Sequence, residues 1–312
     1  MQTMKAVRIH TYGSPDVLIH EDVPRPLPKT GEVLVRIEAA AVNPVDWKIR
    51  EGYLREMLPH SLPLILGWDM SGVIEETGPG ATSFRVGDEV FSRPDLLRDG
   101  TYAEYVVIRE QEVAIKPKSV DHLHAAAVPL AGLTAWKSLI ESAELSAGQK
   151  VLIHAAAGGV GGYAVQLAKW RGAHVIGTAS ADNHDYLRNL GADEVIDYRS
   201  ERFEDVAGDI DVVFDTIGGD TQKRSWQVLK KGGILVSVIT PPPADKAAAH
   251  GVRQAFVFIR PDAAVLAELA KLIDAGKLRP YVEKVLPLAD ARRAQELSQA
   301  GHVRGKIVLK VK

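Results

Sequence analysis

The chain has 312 residues, 46% of them hydrophobic, enough for two domains with separate interiors rather than one small fold. Lysine and arginine total 38 against 40 acidic residues, a net charge of −2, so a nucleic-acid partner is not expected. Cysteine is absent, which excludes disulfides, thiolate catalysis, Cys-ligated zinc and Cys-ligated iron–sulfur clusters.

Met1–Lys5 carries no signal-peptide core, and no apolar run approaches the length of a membrane span, so the chain reads as cytoplasmic without a membrane partner. The first 118 residues read as strands: KAVRIH (5–10), EVLVRIEAAAV (32–42), LPLILGWDMSGVIEETG (62–78), DEVFS (88–92) and TYAEYVVI (101–108). Pro- and Gly-rich turns separate them, and their spacing predicts a small barrel or sandwich.

Near residue 119 the character changes. Alanine-rich helical stretches at 121–127 and 131–143 lead into a strand, VLIHAA (151–156). Helix and strand then alternate: a helix at 160–171, HVIGTA (174–179), a helix at 182–190, EVIDY (194–198), DVVFD (211–215), a helix near 220–230, and ILVSVI (234–239). Continuous apolar strands in βαβ order predict a doubly wound parallel sheet and an α/β fold. PPPADKAAAHG (241–251) reads as a mobile loop. A helix at 262–275, YVEKVLPL, a helix at 289–300 and KIVLKV close the chain.

HAAAGGVGGYAVQLAK (154–169) follows the first strand of that series and opens its helix. Ala156, Gly158 and Gly161 give A-x-G-x-x-G, an alanine standing where the dinucleotide fingerprint has its first glycine. The two glycines kept are those that let backbone approach a pyrophosphate and helix pack on strand. With the helix N-terminus behind it, this places Ala157, Gly158, Gly159, Val160 and Gly161 around a phosphate. A glycine-rich turn without a ligand is the alternative, and the βαβ context favours the cofactor. The next strand ends Thr178-Ala179-Ser180-Ala181, with no carboxylate before Asp182. A carboxylate there would bond the ribose 2′-hydroxyl of NAD and repel a 2′-phosphate, so its absence favours NADPH. Ser180 is also placed to cap the helix that follows.

The strand-rich front, AAAGGVG and RGKIVLKV, together with VNPVDWKIREG (42–52), PLILGWDMSGVI (63–74), GTYAEY (100–105), PLAGLTAW (129–136), LGADEVIDY (190–198) and DVVFDTIGG (211–219), resemble the medium-chain dehydrogenase/reductase superfamily. More closely, the chain resembles its zinc-free quinone oxidoreductase and alkenal/enone reductase branch. The resemblance implies a GroES-like β-barrel catalytic domain (1–120 and 260–312) and a Rossmann cofactor-binding domain (121–259), with the active site in the cleft. It also implies a homodimer, often formed through edge strands of the cofactor sheets.

Zinc-dependent relatives hold a metal through positions that here are Asn43 and Trp68; an amide oxygen is a poor zinc ligand and an indole is none. No metal is therefore expected, and none of the 10 histidines lies in a paired metal-binding spacing. Without a Lewis acid to stabilise an alkoxide, the acceptors expected are quinones, enals and enones, which delocalise the charge themselves. Candidate catalytic residues are Asn43, bonding carboxamide, ribose or substrate carbonyl; Tyr53, lining the acceptor pocket or lying on the surface; and Thr134, bonding ribose or carboxamide. Asp46 reads as a partner of local backbone, Lys48 or Arg50. Thr216, Ile217, Gly218, Val238 and Ile239 follow strands whose C-terminal ends face the cofactor. Phe256 and Phe258 cap the nicotinamide side or fill core, core being the favoured reading.

In the same resemblance, Ser180 and Tyr198 flank the 2′-phosphate, and Asn183 stands where relatives carry a lysine. His184 and Arg199 are the nearby residues able to restore that charge, while Asp182, a modest loop shift from the ribose, keeps an NAD reading open and narrows the expected preference for NADPH. No Ser-His-Asp arrangement, catalytic carboxylate pair or dedicated general acid is legible. Two rival functions remain: an NADPH-binding sensor or structural protein without turnover, and a trans-acting enoyl reductase. The latter needs a basic docking face, and Arg109, Lys116 and Lys118 are scattered.

Overall fold

The computed structural model describes residues 2–312. In chain order its strands are β1 (Thr3–Ile9), β2 (Leu18–Pro24), β3 (Glu32–Val42), β4 (Leu64–Ile65), β5 (Met70–Thr77), β6 (Glu89–Ser92), β7 (Tyr105–Arg109), β8 (Val113–Ile115), β9 (Lys150–Ile153), β10 (His174–Ala179), β11 (Glu194–Asp197), β12 (Ile210–Asp215), β13 (Leu229–Ser237), β14 (Arg253–Phe256), β15 (Val282–Pro287) and β16 (Lys306–Lys310). The helices are α1 (Pro44–Arg50), α2 (His122–Ala126), α3 (Pro129–Trp136), α4 (Gly159–Trp170), α5 (His184–Leu190), α6 (Phe203–Val206), α7 (Gly219–Ser225), α8 (Ala244–His250), α9 (Ala263–Asp274) and α10 (Ala291–Ala300). The chain divides into two compact units: residues 1–130 with 260–276 and 280–312, and residues 131–259 with 277–279. The first division falls ten residues beyond the composition change at 120, because α2 packs on β3 and β5 of the front unit.

In the front unit, β3 is the organising strand. Its 11 residues pair antiparallel with β16, β5 and β7, and the sheet runs β15-β16-β3-β5-β6-β8. A second sheet, β2-β1-β4, completes the unit. Val33, Val35, Ile37, Leu66, Trp68, Met70, Ile74 and Tyr102 fill its core, all within 1% of full burial. Helix α1, unforeseen in the sequence, starts where it does because Pro44 supplies a helix-ready φ and Asp46 accepts the Asn43 N–H at 2.8 Å.

The second unit carries six parallel strands in the order β11-β10-β9-β12-β13-β14. This is a doubly wound sheet whose crossover point lies between β9 and β12. The segment expected as a loop at 241–251 contains α8. Three prolines precede the helix, alanines fill it, and Gly251 ends it at φ 63°. Phe256 and Phe258, with core the favoured expectation, are 40% and 44% exposed; Phe256 ends β14, the outermost strand of its sheet among the described residues, and Phe258 lies two residues beyond it.

Candidate active site

The four strands β9, β10, β12 and β13 are parallel, so the residues after Ile153, Ala179, Asp215 and Ser237 come to one edge of one sheet. At that edge the chain turns tightly through residues 154–158. His154 N bonds Phe214 O (3.1 Å), Ala156 N bonds Thr178 O (3.0 Å), and Gly158 N bonds Ala155 O (3.0 Å). The turn's strained residue is Ala155, at φ 47°, one position before the alanine aligned with the missing glycine. Its carbonyl lies so close to the first turn of α4 that a Cβ at Gly161 would sit 2.4 Å from it, so only glycine fits there. The first i→i−4 bond of α4 is Gly162 N to Gly158 O, at 2.9 Å. The amides of Gly159, Val160 and Gly161 thus have no intrahelical acceptor and point out of the helix N-terminus. Glycine cradle, free amides and helix dipole fit a pyrophosphate.

The other predicted cofactor residues gather at the same edge. Ala157 is buried, while Gly158, Gly159 and Val160 are half-buried. Ser180 follows β10, is 8% exposed, and accepts a bond from Asn183 Nδ2 at 3.1 Å; its hydroxyl caps no backbone amide. Tyr198 lies beside it, since Ala179 pairs with Asp197, and Tyr198 N reaches Ala179 O at 3.4 Å. The Arg199 guanidinium lies 5.8 Å over the Tyr198 ring. Asp182 is exposed. Thr216 Oγ1 donates to His154 O at 2.7 Å, Ile217 is 50% exposed, and Val238 N bonds Asp215 O at 3.2 Å. The Asp215 carboxylate holds this edge together, accepting from the N–H groups of Ile217 and Gly218, from Gln222 Nε2 and from Ser237 Oγ at 2.7–3.0 Å. Thr134 lies in α3, 7% exposed.

In the front unit the candidate residues lead into a buried polar cluster that the sequence did not disclose. Asn43 is 2% exposed. Its Nδ2 donates to Asp69 Oδ2 at 2.8 Å, and its Oδ1 accepts from Lys306 Nζ. The ammonium also bonds Val42 O (3.1 Å) and Asp69 Oδ2 (3.3 Å), and Asp69 Oδ1 accepts from Leu130 N (2.6 Å). Burial raises the Asp69 carboxyl, opposed by Lys306, Asn43 and the Leu130 amide. Asp46 does not pair with Lys48 or Arg50. It accepts from Asn43 N (2.8 Å) and Tyr102 OH (2.7 Å), and burial pushes its carboxyl up to about 7. Arg50 instead bonds Gln295 Oε1 (2.8 Å) and Gly13 O (3.1 Å). Trp68 is fully buried, its Nε1 donating to Arg98 O at 3.2 Å. Tyr53 is 68% exposed, edge-on to Trp47 with ring centroids 6.3 Å apart.

The fold assembles one triad-like set that was not legible in the sequence. Ser71 Oγ lies 2.8 Å from His122 Nδ1, and His122 Nε2 lies 3.3 Å from Glu89. Ser71 is fully buried and its hydroxyl donates to Val90 O at 3.0 Å, so it offers no nucleophile. Among the described residues, no group of three His, Cys, Asp or Glu side chains is placed to hold a metal ion.

Residues 29–118 match the alcohol dehydrogenase GroES-like domain family, and residues 190–309 match the family described as zinc-binding dehydrogenase. The chain is 35% identical to the mitochondrial NAD(P)H oxidoreductase RTN4IP1 of Mus musculus, over 90% of this chain and 82% of that protein. It is 36% identical to the chloroplastic NADPH-dependent alkenal/one oxidoreductase of Arabidopsis thaliana, over 98% of this chain and 79% of that protein. Among solved structures, the quinone oxidoreductase of Coxiella burnetii superposes with a TM-score of 0.94 at 37% identity, with 100% of both chains covered.

Proposed function

Because the chain belongs to the medium-chain dehydrogenase/reductase superfamily, in its quinone and alkenal oxidoreductase branch, we propose that it is a zinc-independent, NADPH-dependent reductase of quinones and α,β-unsaturated carbonyls. The observation that carries the reading is the strand-end edge. The Gly159–Gly161 amides suit a pyrophosphate, and Ser180 with Tyr198 stands where a carboxylate would exclude a 2′-phosphate. Arg199 over the Tyr198 ring supports the NADPH preference.

When bound, the dihydronicotinamide supplies the hydride. The chain's own residues bind and orient: Ala157–Gly161 hold the phosphates, Thr216, Ile217 and Val238 line the edge beyond them, and Thr134 offers a hydroxyl to ribose or carboxamide. Lys306 bonds the Asn43 carbonyl oxygen and Asp69 takes one Nδ2 hydrogen, so the second Nδ2 hydrogen is what Asn43 offers an acceptor. It therefore suits an acceptor oxygen that gains negative charge. The exposed Tyr53 presents an aromatic face and a hydroxyl for the acceptor. Solvent provides the final proton. Zinc-independence is supported by Asn43 and Trp68, and the match described as zinc-binding dehydrogenase begins at residue 190, past both positions. No helix among the described residues is long and apolar enough to cross a membrane, and a cytoplasmic homodimer completes the proposal.

The test is a panel of initial rates for NADPH and NADH oxidation against quinones, 2-alkenals, enones and saturated aldehydes. Conjugated acceptors react far faster, enals yield saturated aldehydes, and Ser180→Asp raises KM for NADPH much more than for NADH. An allylic alcohol product, or a wild-type preference for NADH, overturns the reading. NADPH binding with no turnover of any acceptor selects the sensor or structural alternative.

A further inference from the structure

The residue preceding the glycine cradle sits in a conformation it would not choose. Ala155 holds φ 47°, a region open to glycine and costly for a residue with a Cβ. That conformation turns its carbonyl back onto Gly158 N (3.0 Å) and against Gly161, so the aim of the following amides depends on it.

What holds it is a buried relay that none of the cofactor contacts uses. Ala155 N donates to Thr178 Oγ1 at 3.2 Å. Thr178 Oγ1 lies 3.3 Å from His154 Nδ1, and His154 Nε2 lies 2.9 Å from Ser225 Oγ. Ser225 Oγ donates to Thr221 O at 2.7 Å. Since the Ser225 proton is committed, His154 Nε2 carries the hydrogen and Nδ1 accepts from Thr178, so every hydroxyl and ring nitrogen is used once. Burial pushes His154 down to about 4, which keeps the ring neutral, as this arrangement requires. His154, Thr178 and Ser225 are 1%, 4% and 0% exposed, so water cannot replace a lost partner at little cost.

We propose that Thr178, His154 and Ser225 are positioning residues that lock Ala155 in its left-handed conformation and so aim the Gly159–Gly161 amides at a nucleotide phosphate. The proposal rests on the cofactor reading above. It makes a particular demand on glycine. If the relay exists to hold a positive φ, a residue that adopts positive φ unaided removes the need for it.

The experiment is calorimetric titration of the ligand-free protein with NADPH. Thr178→Val, nearly isosteric, weakens binding by about tenfold, the loss of roughly one buried hydrogen bond. Thr178→Ser keeps the hydroxyl and binds as wild type. Thr178→Val with Ala155→Gly recovers most of the lost affinity. Ser225→Ala, at the far end of the relay, weakens binding in the same direction and is also rescued by Ala155→Gly, which provides a second reading should Thr178→Val not fold. Wild-type affinity in both Thr178→Val and Ser225→Ala, or no rescue by Ala155→Gly, overturns the relay. A wild type that binds neither NADPH nor NADH overturns the cofactor reading itself and this proposal with it.

Discussion

At the scale of single residues, the sequence disclosed identities and the fold disclosed partners. Asn43, Ser180 and Gly161 stand out in the sequence because their types at those spacings suit the chemistry proposed. Lys306 does not, since a lysine opening the strand KIVLKV looks like a solvated end. Only the antiparallel pairing of Ile307 with Val42 carries it to Asn43 and Asp69. His154 was hidden similarly, because its two hydroxyl partners lie 24 and 71 residues away. Its burial makes a pH prediction. The folded state holds the ring's pKa near 4, below the ordinary 6.5 of the unfolded chain, so between these values the unfolded chain binds more protons. Stability from this group is complete above 6.5 and is lost as pH falls toward 4, a total of about 3 kcal/mol. Denaturant unfolding of wild type and His154→Gln at pH 7 and pH 4.5 should show wild type losing roughly 2–3 kcal/mol more. Equal losses would mean that the ring is protonated in the native state.

At the scale of elements, HVIGTA is β10 from first residue to last, whereas ILVSVI (234–239) falls in β13, which spans Leu229–Ser237. Two of the missed elements have residues that do not advertise a buried face. β2 reads LIHEDVP with only Val23 buried, and β14 reads RQAF with no residue buried. Both form because a neighbouring strand supplies hydrogen bonds, a non-local cause that periodicity cannot register. α8 was misread for the opposite reason, as its three leading prolines masked a run of alanines behind them. The edge position of β14 carries a prediction. An outermost strand that ends in Phe256 at 40% exposure, with Phe258 at 44% just beyond it, is a pairing surface that a monomer would normally blunt with charge. In sedimentation velocity the wild type should run as a dimer, and Phe256→Glu with Phe258→Glu as a folded monomer. A monomeric wild type at micromolar concentration would remove this edge as the interface.

At the scale of the whole molecule, the residues proposed to bind phosphate lie in the parallel-sheet unit, and Asn43 and Trp68 lie in the β3-centred unit. The division was legible because composition changes with architecture, but its place was not, since α2 looks like the start of the second unit and packs on the first. In the front unit, charge argues against a metal. Asp69 and the Asn43 carbonyl are the oxygens a cation would seek there, and both already bond the Lys306 ammonium. Zinc would have to displace a cation whose burial leaves it no route to water (Lys306 is 4% exposed), then bind through an amide oxygen and one carboxylate beside an indole. The expected outcome is a purified protein with far less than one zinc per chain and an NADPH-dependent rate that chelator leaves unchanged. Lys306→Met should strand the Asp69 charge and destabilise the fold by about 3–5 kcal/mol, again without any dependence on added zinc. One tightly held zinc ion per wild-type chain, removed by chelator together with activity, would show that the ammonium yields its place and that the catalysis proposed here is wrong.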